Sequence, residues 1–105
     1  MPGQDGLKLV TVIVQFKDEQ KVLDALLKAG APGATFYYGR GTGVRQKLGF
    51  FGKFIEAEKV LIVTAVPAAK AEAVVKAATE SADLQKPGNG FLWVQTLEQT
   101  VGLFQ

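Results

Sequence analysis

Neither cysteine nor histidine occurs anywhere in the 105 residues. Without cysteine there is no disulfide and no thiolate nucleophile. Without histidine the commonest general base and the commonest ligand for zinc are also gone. Ser/His/Asp and Cys/His catalysis are therefore excluded; what remains is phosphate chemistry without catalysis, and an enzyme is not expected. Carboxylates are scattered, with only Glu56 and Glu58 close together near the glycine-rich centre, so no metal site and no resident cofactor is expected. No apolar run is long enough to cross a bilayer, and the opening "MPGQDGLK" lacks the charged-then-apolar order of a secretory signal. Cytoplasmic location without membrane insertion is the expectation. Lys and Arg number 12 against 10 Asp and Glu, a formal net charge of +2. That balance is too thin for the basic stripe of a nucleic-acid binder.

What is present fits one domain over residues 1–105. "LKLVTVIVQF" (7–16) is a β-branched run of strand length. Asp18 is placed to cap a following helix whose apolar stripe is Val22, Leu23, Leu26 and Leu27, with Gly30 ending it. "ATFYY" (34–38) and "KVLIVTAV" (59–66) have strand composition. Pro67 suits the first turn of a second helix, which turns Ala71, Val74, Val75 and Ala78 inward. "FLWVQTL" (91–97) is a fourth strand. The order is βαββαβ, the α+β ferredoxin-like arrangement with a four-stranded antiparallel sheet.

Both strand faces are apolar. Val10, Val12, Val14 and Phe16 alternate with Leu9 and Ile13, and Val60, Ile62 and Val66 alternate with Leu61, Val63 and Ala65. Two helices cover only one face. The other would leave several hundred Å², roughly, of apolar surface in water, more than monomers usually expose. Other copies of the chain are expected to cover it, with a helix end or tail folding over it as the alternative. Trp93 and Tyr37 read as packing residues on these strands.

The stretch "GRGTGVRQKLGFFGKF" (39–54) holds five glycines, four cations and three phenylalanines. It is too glycine-rich for regular structure and too basic for a plain turn. Gly41 and Gly43 let backbone N–H groups face an anion. Arg45 can fork onto phosphate oxygens, Lys47 adds a point charge, and Gln46 offers an amide to a base or ribose. Walker spacing and its following helix are both missing. "KPGNG" (86–90) is a second glycine-bearing loop. In this fold the two lie on opposite sheet edges, so they meet only across a subunit boundary, in a cleft suited to a small phosphorylated ligand.

The run "GAPGATFYYGRGTGVRQK" resembles the PII signalling proteins, whose pattern is G-x-x-G-x-T, a short strand, then G-x-G-R-Q-K-G. The match falls on Gly30, Gly33, Thr35, Gly41, Gly43, Arg45, Gln46 and Lys47, with Val44 as an insertion. "PGNGFLWV" is similar to the family's G-D-G-K-I-F-V segment through Gly88 and Gly90. The resemblance implies a homotrimer that binds adenine nucleotide in inter-subunit clefts, and a mobile T-loop, here about 44–58, that docks on a target protein. The nucleotide-binding residues it implies are Val12 near the base, Thr35, Gly41, Gly43, Arg45, Gln46, Lys47, Gly88, Asn89 and Gly90. Phe50, Phe51 and Phe54 would be the partner-docking part of the loop, or would fold onto the body as core.

Departures from the family narrow the ligand. Asn89 replaces an Asp, Phe91 replaces a phosphate-binding Lys, and Gly102 and Phe104 stand where two arginines grip the outer phosphates. Each lost charge-assisted hydrogen bond is worth about 1.5–3 kcal/mol, which favours ADP or AMP over ATP. The T-loop is short and lacks the tyrosine that is uridylylated in nitrogen control. Loop length and missing arginines make the chain similar to the carboxysome-associated PII-like group, which senses ADP or AMP together with bicarbonate. Arg40, Arg45 and Lys47 would hold that second anion. The expected role is signal transduction, regulating an enzyme or transporter of carbon or nitrogen metabolism. The alternative is an acylphosphatase-like small enzyme of the same fold, because "GRGTGVRQ" is similar to that family's G-R-V-Q-G-V-x-F-R anion loop. That loop follows strand one, whereas this stretch follows strand two.

Overall fold

A computed structural model describes residues 6–41 and 57–102. In chain order the elements are β1 (Leu7–Gln15), a 3-10 turn (Phe16–Asp18), α1 (Glu19–Lys28), β2 (Thr35–Gly41), β3 (Ala57–Pro67), α2 (Ala68–Ser81) and β4 (Gly90–Leu97). The strands form one sheet in the order β2-β3-β1-β4, every pair antiparallel. This is the expected ferredoxin-like α+β architecture.

β-Branched alternation puts one side of β1 and β3 into the core. Val10, Val12, Val14, Val60, Ile62 and Val66 are fully buried under Val22 and Leu26 of α1 and Val74 and Ala78 of α2. Each such valine or leucine contributes about 1.5–3 kcal/mol of burial. Ala71 and Val75 pack against this core while half-buried, as expected.

α1 ends as its glycine predicts. Gly30 has φ +113°, its N–H donates to the Leu27 carbonyl, and Ala31 N–H donates to Leu26, which satisfies the last carbonyls of the helix. α2 ends the same way with Asp83 at φ 52° in the glycine position: Asp83 N–H donates to Glu80, and Leu84 N–H to Thr79.

Four local expectations are corrected. β1 stops at Gln15, so Phe16 begins the 3-10 turn and is 46% exposed instead of facing the core. Asp18 stands at the N-cap position of α1 but makes no side-chain capping bond; it is buried and pairs with Lys21 at 3.4 Å. Leu27 falls outside the buried stripe and is half-exposed, because Val22 and Leu26 already fill the space over the sheet. Pro67 closes β3 and caps α2 from outside its first turn, while Ala68 N–H donates to the Gly6 carbonyl.

The second sheet face has no cover among the described residues. It carries Leu9, Ile13, Leu61, Val63, Ala65, Phe91, Trp93 and Tyr37, which alternate with the core residues. The chain after β4 does not fold over it as far as it is described: Val101 is 89% exposed. Trp93 and Tyr37, expected to pack, lie here partly open to solvent.

Candidate functional site

β2 extends further than its composition predicts. Gly39, Arg40 and Gly41 pair with Lys59, Glu58 and Ala57, so the start of the glycine-rich stretch is strand. Backbone pairing to β3 overrides the poor strand preference of glycine. Residues 57 and 58, at the far end of the expected T-loop range, are strand for the same reason.

Alternation places Thr35, Tyr37, Gly39 and Gly41 on the open face of β2, with Phe36, Tyr38 and Arg40 on the helix side. Thr35 is exposed at the sheet edge. Arg40 is exposed on the opposite side of the strand from Thr35 and Gly41. Beside it, Phe16, Tyr38 and Phe36 form an edge-to-face aromatic group, with centroids at 5.5 and 6.1 Å. The Tyr38 hydroxyl donates to Glu19 Oε2 at 2.8 Å. That hydrogen bond, then desolvation, then the Glu19 charge push the phenol above its ordinary pKa.

The second loop lies at the same end of the sheet on the other edge. Tyr38, Val60, Val14 and Gly90 form one row across the four strands. Three strand spacings, about 14 Å, separate β2 from β4 in that row. Gly88 (φ +91°) and Gly90 (φ +131°) both occupy glycine-favouring backbone. Gly90 lies against the Ile13 carbonyl so closely that a Cβ would collide with it. Asn89 turns inward: its Nδ2 donates to the carbonyls of Ala82 (3.2 Å) and Asp83 (3.1 Å). Gln15 Nε2 donates to the Gly88 carbonyl at 2.9 Å.

Val12 is fully buried in the helix-side core, opposite Ile62 and Leu92, and its side chain reaches no surface of the described chain. Gly43, Arg45, Gln46, Lys47, Phe50, Phe51, Phe54 and Phe104 lie outside the described residues. The structure thus brings Gly88, Asn89 and Gly90 together, and sets Thr35 and Gly41 apart from them across the sheet. Sequence reasoning missed Gln15 and Asp83. An amide bonded to a backbone carbonyl leaves no spacing pattern. An aspartate with positive φ is marked only by its place after the last helical turn.

The connection after β1, Phe16–Asp18, contains neither glycine nor arginine. The acylphosphatase-like anion loop is therefore missing from the position that reading requires. The family model described as nitrogen regulatory protein P-II matches residues 7–103. The chain belongs to the P-II family. No curated protein matches it. The match spans every described element of the sheet and both helices. No helix among the chain's described residues is long and apolar enough to cross a membrane.

Proposed function

We propose that this P-II family protein is a homotrimeric cytoplasmic sensor that binds adenine nucleotide between subunits and regulates a target protein through its T-loop. The observation that carries the proposal is the separation of the two glycine-bearing segments. Their described parts, Gly39–Gly41 and Gly88–Gly90, lie at one end of the sheet on opposite edges, with about 14 Å between the edge strands along the Tyr38–Gly90 row. One ligand engages both where the edge of one protomer meets that of a neighbour, and the apolar face left without cover among the described residues supplies the reason for protomers to associate.

In this reading, backbone groups around Gly41, Gly43, Gly88 and Gly90 face the phosphates, and Arg45 and Lys47 supply charge. Thr35 and Gln46 contact base or ribose. The missing cations at Phe91, Gly102 and Phe104 favour ADP or AMP over ATP. Bicarbonate, held by Arg40, Arg45 and Lys47, is the proposed second ligand, and the output is control of an enzyme or transporter in carbon or nitrogen metabolism. Phe50, Phe51 and Phe54 are the proposed docking residues.

Calorimetry with AMP, ADP and ATP, with and without bicarbonate, tests the reading. ADP or AMP binding tighter than ATP is expected, and absence of sub-millimolar binding by any nucleotide sinks it. Arg45→Ala should weaken binding about tenfold or more, the loss of a charge-assisted hydrogen bond, with the oligomer intact. Dissociation of the subunits in that variant would make Arg45 structural.

A further inference from the structure

The 83–90 loop is held from two sides by amide side chains, neither of which its role as a ligand loop explains. On one side, Asn89 Nδ2 bridges the Ala82 and Asp83 carbonyls at the end of α2. On the other, Gln15 at the end of β1 donates to the Gly88 carbonyl. Between them the backbone folds on itself, with Lys86 N–H donating to Asp83 and Asn89 N–H to Lys86. Asp83 itself holds φ 52°, a conformation that side-chain-bearing residues adopt sparingly.

We infer that Asn89 and Gln15 are positioning residues: they clamp the glycine loop to α2 and β1, so that the loop is preorganised before any ligand arrives. Asn89 is then not a ligand contact. Both hydrogen bonds from its carboxamide require N–H donors aimed at carbonyls. An aspartate of the same shape would present only acceptors to those carbonyls and would add a charge beside Asp83. The identity of residue 89 therefore sets the stiffness of the loop. Preorganisation improves binding by lowering the ordering cost, and it does so for every ligand that uses the loop. The functional consequence rests on the nucleotide reading above; the clamp does not.

The test is amide hydrogen exchange on the ligand-free protein, combined with calorimetry. Leu84 and Lys86 are the reporters, because their N–H groups belong to the clamped segment and donate to the carbonyls of Thr79 in α2 and Asp83. Asn89→Asp removes two hydrogen bonds and should speed exchange at these amides about 30-fold, with core amides of β1 and β3 unchanged. Asn89→Ala, which removes the same two hydrogen bonds without adding a charge, should weaken AMP, ADP and ATP by one common factor. Gln15→Ala, which cuts only the Gly88 contact, should speed the same amides less, and it serves if Asn89→Asp fails to fold. Unchanged exchange in the folded variants overturns the clamp. A loss confined to one nucleotide with unchanged exchange would make Asn89 a direct ligand contact instead. Wild-type protein that binds no nucleotide would defeat the proposed function, while the exchange result would still decide the clamp.

Discussion

Gly90 and Ile13 meet with no room for a side chain between them: the Ile13 carbonyl oxygen occupies the space that a Cβ on residue 90 would need, and Gly90 holds φ +131°. Gly90→Ala should therefore destabilise the fold by about 2–3 kcal/mol, through the strained backbone and the displaced first rung of β4. Urea unfolding measures it. A loss under about 0.5 kcal/mol, the usual range for an uncritical surface site, would show that β4 starts elsewhere.

Thr64 is the polar residue in the buried row of β3, 2% exposed, and its hydroxyl donates to the Gly33 carbonyl at 2.6 Å. The bond ties the turn between α1 and β2 to the sheet. Thr64→Val keeps the shape and removes the donor, which should cost about 1–2 kcal/mol by the same measurement.

Tyr38 should titrate above its ordinary 10.0 because it donates to Glu19. The unfolded chain gives up this proton first, so the contribution is complete below pH 10 and is lost as pH rises through the folded value. Ultraviolet titration of phenolate in a Tyr37→Phe background isolates the group, and Glu19→Gln should bring its pKa down.

Val63 sits between Thr35 and Thr11 on the uncovered face. Val63→Glu should leave the helix-side core folded by circular dichroism and abolish the proposed trimer in light scattering. An intact oligomer would mean that this face is not where copies meet.

The buried rows were legible because valine at alternate positions marks Val10, Val12, Val14 and Val60 as one face whatever their neighbours do. Phe16 and Leu27 misled for the same reason: an apolar residue continuing a period looks internal, and only the local turn or the filled core shows otherwise. Gly39–Gly41 read as loop because composition reports local preference, while β3 supplies pairing from about twenty residues away. At the candidate site, the glycines announced Gly88 and Gly90 through the backbone they demand. The inward turn of Asn89 was hidden, since an exposed amide and a bonded one are the same letter.

Asn89 is followed directly by a glycine, the neighbour that least hinders attack of its main-chain nitrogen on an asparagine carboxamide with loss of ammonia. Anchored to the Ala82 and Asp83 carbonyls, that carboxamide is restrained from this reaction for as long as the loop stays closed. Deamidation to aspartate or isoaspartate would remove the donor that anchored it, so a molecule damaged in this way cannot re-form the contact. Deamidation at Asn89 should therefore be paced by how often this loop opens.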